Sequence, residues 1–150
     1  MALKNKMAGF VEIDIDADRK FLDLPVDEPI YLKYDYNAIA LADDQLKRAS
    51  GVSLLYILTH SATAGTGDLR ILLAEGLRHQ FPGITKEIAG KILGYEKFPK
   101  ILVKVIEAAS FVMEDWFDGQ AAKDLSNMRV RAVAISGRED EAEEILGEKN

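Results

Sequence analysis

Early in the chain, apolar Val11, Ile13 and Ile15 alternate with Phe10, Glu12, Asp14 and Asp16. A period of two sends successive side chains to opposite faces, so residues 10–16 predict a strand with one buried face. Asp16-Ala17-Asp18-Arg19, beginning at the strand's last residue, supplies turn chemistry, because aspartate side chains bond to nearby backbone amides. Residues 20–24 then predict a return strand, broken at Pro25, and residues 30–36 a third, with Ile30, Leu32, Tyr34 and Tyr36 on one face. Three strands in an antiparallel meander bury one face and need a cover.

From Asn37 the period changes to 3.6. Asn37 is a natural N-cap for a helix carrying Ile39, Leu41, Ala42 and Leu46 and ending near Gly51. Ser53 caps a short helix with Leu54, Leu55, Ile57 and Leu58. Residues 61–68 are a loop by composition, and Thr66 or Asp68 suits the start of the next helix. That helix carries Leu69, Leu72, Leu73 and Leu77, with Gly76 as a small residue for close approach. It is ended by Phe81-Pro82-Gly83. Thr85 caps a helix with Ile88, Ala89, Ile92 and Leu93, Glu87 in its first turn and Gly94 at its end. Pro99 sits in the first turn of a longer helix whose inner face is Ile101, Leu102, Val105, Ile106, Ala109 and Val112, running as far as Trp116.

After Gly119 the pattern weakens. Residues 127–135 read either as a short strand, with Met128, Val130, Ala132 and Ala134 alternating with Arg129 and Arg131, or as an extended linker. The expected architecture is α+β: an N-terminal antiparallel three-stranded meander packed on a bundle of four to five α-helices, with a flexible acidic C-terminal tail. Residues 1–118 form the domain and residues 119–150 an extension.

Composition narrows the function classes. The 150 residues are 48% hydrophobic and 29% charged, which suits one globular domain with a genuine core. The formal net charge is -6, and residues 137–150 hold six acidic and two basic side chains. An acidic chain disfavours nucleic-acid binding through phosphate neutralisation. The absence of cysteine removes disulfides, thiolate metal sites and a cysteine nucleophile. No secretory signal follows the N-terminal lysines, and no apolar run reaches the roughly 20 residues of a membrane span. The expectation is a cytoplasmic protein with no membrane contact.

Catalytic chemistry finds little support. Asp14, Asp16 and Asp18 open like a calcium loop, but the sixth position, which needs glycine, is Arg19, and the twelfth, which needs a carboxylate, is Pro25. A solvated strand face and its turn is the preferred reading. His60 and His79 lack metal-ligand spacing and read as surface or helix-end residues. The glycine-rich stretch at 64–68 has no following lysine for a Walker loop and no preceding strand for a dinucleotide loop. Asp43-Asp44 and Glu114-Asp115 are adjacent in sequence and diverge on a helix. No enzyme, metal or cofactor is expected.

The unusual feature is apolar. Phe111, Met113, Trp116 and Phe117 crowd the end of the last long helix beside Glu114, Asp115 and Asp118. One reading makes these aromatics a cap on the core. The other makes them a partner-binding anchor with an acidic rim.

Asn37-Ala38-Ile39 at a helix start, Ser53-Leu54 in a second segment, Leu69, Arg70, Leu73, Gly76, Leu77, Arg78 and His79 in a third, and Thr85, Ala89 and Gly90 in a fourth form an ordered series. Across residues 10–115 this order resembles the small phage tail assembly chaperones of gene transfer agents and siphovirus-like prophages. Two departures stand out: Ala42-Asp43-Asp44 lies where those proteins usually carry a glutamate, and the segment after Gly119 has no counterpart. The resemblance implies a non-enzymatic viral protein of the host cytoplasm. Its partners would be the tape measure protein, which it keeps soluble, and the tail tube protein, which polymerises around it. The chaperone is then absent from the finished tail. The same resemblance leaves open a structural component retained in the virion; a small enzyme is the remaining alternative.

Overall fold

The first and third alternating runs pair with each other. The computed structural model describes residues 9–15 and 28–149. In it β1 (Val11–Ile13) and β2 (Ile30–Leu32) are antiparallel, with Val11 opposite Leu32 and Ile13 opposite Ile30. The described sheet has these two strands alone, so the expected three-stranded meander is corrected: in a meander the first run would neighbour the second. The return strand expected at 20–24 and the turn at 16–19 lie outside the described residues. The alternation itself holds, because Val11, Ile13, Ile15, Ile30, Leu32 and Tyr34 are buried while Glu12 and Asp14 face out. Tyr36 leaves that face because a helix has begun there.

Seven α-helices occupy the rest of the described chain, more than the four to five expected: α1 (Tyr36–Ser50), α2 (Leu54–Thr59), α3 (Thr66–Leu77), α4 (Lys86–Tyr95), α5 (Phe98–Met113), α6 (Gly119–Ile135) and α7 (Glu139–Lys149). Local chemistry sets their ends. Asp35, two residues before the expected cap, accepts the Ala38 N–H and starts α1. Gly51 ends it at φ 74°, the left-handed conformation glycine adopts without a Cβ penalty. Ser53 and Thr85 cap α2 and α4 as their positions predict. The α3 start is held from inside the helix, where the Asp68 carboxylate accepts the Gly65 N–H and the Ser50 hydroxyl. Pro99 lies in the first turn of α5, and that helix stops at Met113, short of Trp116.

The core forms around α3, which is buried on nearly every side and packs against α1, α4, α5 and β2. Gly76 is what brings β2 so close. A Cβ there would stand 2.7 Å from Tyr34 Oη and 2.9 Å from Leu32 Cδ2. Bare backbone lets the Lys33 N–H reach the Gly76 carbonyl and the Tyr34 hydroxyl donate to the Leu72 carbonyl at 2.5 Å.

The largest difference from expectation lies after Gly119. Residues 127–135 are neither strand nor linker but the second half of α6, packed along α5. Leu125, Arg129, Ala132 and Val133 are its buried positions, a helical stripe whose middle member is charged. Arg129 is buried because its guanidinium forks onto Glu114, with Nε at 2.9 Å and Nη2 at 2.6 Å from the two carboxylate oxygens. Leu125 and Ala132 of the segment expected as an extension belong to the same apolar cluster as Leu72 and Ile101. The acidic segment is likewise helix rather than a loose tail. Ala142 and Ile145 of α7 bury against Val133, and Arg138 bridges Glu107 on α5 to Glu141 on α7.

Candidate protein-binding groove

Four residues were singled out as a partner-binding anchor, and the fold divides them. Met113 is buried at the end of α5, and Trp116 follows in a turn closed by its own N–H donating to the Met113 carbonyl at 3.0 Å. Phe117 is half-buried against the core. These three line one groove. Phe111 does not: its half-buried ring lies elsewhere, with the Arg129 guanidinium carbon 5.4 Å from its centroid and Gly9 beside its edge. Met113 is thus core, as the capping reading expects, while Trp116 is 42% exposed.

The opposite wall comes from α1 and the start of α2. Tyr36, Ile39 and Leu54 face the α5 end across an open groove of about 340 Å³. Tyr36 is 70% exposed and its ring centroid stands 5.5 Å from that of Trp116, tilted by 48°. The result is an exposed, tilted aromatic pair over an apolar floor, the composition of a surface that can take an apolar partner. Sequence reasoning missed this wall because Tyr36 continued the alternation of β2 and was assigned to its buried face. Asp35 was the available signal, an N-cap residue that ends a strand pattern and starts a helix.

Two polar side chains of the groove wall, Asp43 and Ser53, are already engaged. Asp43 accepts the Leu54 N–H at 2.9 Å and pairs with Lys47 at 2.9 Å. Burial opposes its ionised form, but the bonds from Lys47 and the Leu54 amide outweigh that and hold the carboxyl below the usual aspartate value. Ser53 accepts the Tyr56 N–H. With these satisfied, the groove offers apolar contact rather than polar recognition.

The histidines serve local structure. His60 stacks on Tyr56 at 4.2 Å, and His79 Nε2 lies 2.8 Å from the Tyr31 carbonyl oxygen. Asp14 is exposed, while Asp16 and Asp18 lie outside the described residues. Among the described residues no group of three or more histidines, cysteines or carboxylates could hold a metal ion, and no helix is long and apolar enough to cross a membrane. No protein-family model, curated protein or solved structure matches this chain.

Proposed function

We propose that this protein is a phage tail assembly chaperone with a non-enzymatic role: it covers apolar stripes of the tape measure protein in the host cytoplasm while tail tube protein polymerises around it. The observation that carries this reading is the exposed Tyr36–Trp116 pair above an apolar groove, which gives a place for an apolar partner surface. The ordered resemblance across residues 10–115 supplies the identity of that partner, and the acidic exterior favours a soluble complex.

The test is co-expression with the tape measure protein of the same gene cluster, followed by size-exclusion chromatography. A soluble, co-eluting tape measure protein is expected. Trp116→Ala should lower its recovery in the complex at least about tenfold, the scale of an aromatic anchor, with the fold intact by circular dichroism. An insoluble tape measure protein, with this chain retained in finished tails, would replace the chaperone by a structural tail subunit.

A further inference from the structure

The groove carries a charge asymmetry that its apolar floor does not require. Asp115 and Asp118 adjoin Trp116 and Phe117, are exposed, and have no ion-pair partner among the described residues. Across the groove, Asp35 precedes Tyr36 and Asp43 lines the wall. The cation bonded to this set is Lys47, on Asp43. The last carbonyls of α5 add negative partial charge beside Asp115, while the N-terminus of α6, which Asp118 precedes without a side-chain cap bond, sets partial positive charge against that one aspartate. The helix N-termini on the facing wall do not offset it, because Asp35 and Ser53 cap α1 and α2 and Asp43 takes a further α2 amide.

We propose that this groove receives an α-helical segment of another protein, with an apolar stripe for the Tyr36–Trp116 pair and the apolar floor beneath it and lysine or arginine beside the stripe to meet Asp115 and Asp118; this rests on reading the groove as the partner surface. A small polar ligand is disfavoured, since Asp43 and Ser53 on the groove wall are already bonded and the remaining lining is largely apolar. A strand would find no sheet edge, because helices and the turn after α5 make the walls. Long basic side chains suit the site: their stems lie along apolar surface while their heads reach the rim. A second copy of this chain is disfavoured by the same logic, as it brings a net charge of -6 and an identical acidic rim.

Trp116 is the only tryptophan, so its fluorescence reports directly on the groove. The probes are two tryptophan-free synthetic peptides of about 20 residues with one leucine and phenylalanine stripe at helical spacing, flanked in one by lysine and in the other by glutamate. Each is titrated into the full chain. The lysine peptide should shift Trp116 emission to the blue and bind at least about tenfold more tightly than the glutamate peptide. In Asp115→Asn/Asp118→Asn, and in 1 M salt, that preference should fall below about threefold. Tyr36→Ala, at an exposed position, should weaken both peptides alike. Equal binding of the two peptides to the unaltered chain would overturn the basic-flank inference and leave the groove as a partner surface. No emission shift with either would overturn both. A blue shift on raising protein concentration alone would make the occupant a second copy and overturn the proposal.

Discussion

Arg129 and Glu114 place two charges where the sequence pattern asks for apolar residues, and the pair stays buried because the guanidinium meets both carboxylate oxygens. Removing one member costs far more than replacing both. Arg129→Met should therefore destabilise the fold by about 3–5 kcal/mol in urea unfolding, while Glu114→Leu/Arg129→Met should recover most of that loss. Gly76 offers a second residue-scale test. In most helix interiors Gly→Ala stabilises by about 1 kcal/mol. Here the new Cβ would meet Tyr34 and Leu32, so Gly76→Ala should lower the melting temperature instead. Burial, with the Glu75 charge adding, pushes the Tyr34 phenol well above its ordinary value of 10.0. A raised phenol stabilises the fold fully below the unfolded value and loses that contribution as pH climbs beyond it. Tyr34→Phe should reduce stability at pH 7 by about 1 kcal/mol, the worth of its bond to the Leu72 carbonyl, and should flatten the alkaline limb of the stability profile.

Asp43 ties α1 to α2 by taking the Leu54 N–H, and its lowered pKa gives that tie a pH signature. A carboxyl held below its unfolded value stabilises above about pH 4 and loses that contribution as acid titrates the folded group. The carboxyl is half-buried but its Lys47 partner is exposed, so the loss should stay under about 1 kcal/mol, and Asp43→Asn should reduce the pH dependence across that range in thermal melts. At this scale the sequence was most legible where backbone chemistry decides: Ser53, Thr85, Gly51 and Pro99 each mark the end they were expected to mark. It was least legible at α6. There Val130, Ala132 and Ala134 alternate with arginines like a strand, and the helical stripe of Leu125, Arg129, Ala132 and Val133 was hidden by a buried arginine. Only the position of Glu114 on another helix makes Arg129 a core residue, and that is tertiary information. The groove was half legible for the same reason. Aromatic density marked the α5 end, whereas the α1 wall depends on how the two helices dock.

Across the whole molecule, α6 and α7 differ in how much of the fold depends on them. A chain ended after Asp118 would lose Leu125 and Ala132 from the main cluster and Arg129 from its ion pair, and should be insoluble or molten by near-ultraviolet circular dichroism. A chain ended after Gly137 would lose the small Val133–Ala142–Ile145 cluster and should keep a cooperative transition. The placement of the Glu114–Arg129 pair has a consequence for how the surface can change. Glu114 and Trp116 are two residues apart on the turn that ends α5, one anchored inward on α6 and the other facing the groove. The inward residue fixes the platform from behind, away from the face where the proposed segment would lie. If the proposed groove is the partner surface, substitutions at Trp116 or the neighbouring aspartates would retune which partner is preferred at little expense to the fold, and recognition and foldedness would rest on separate residues of one short turn.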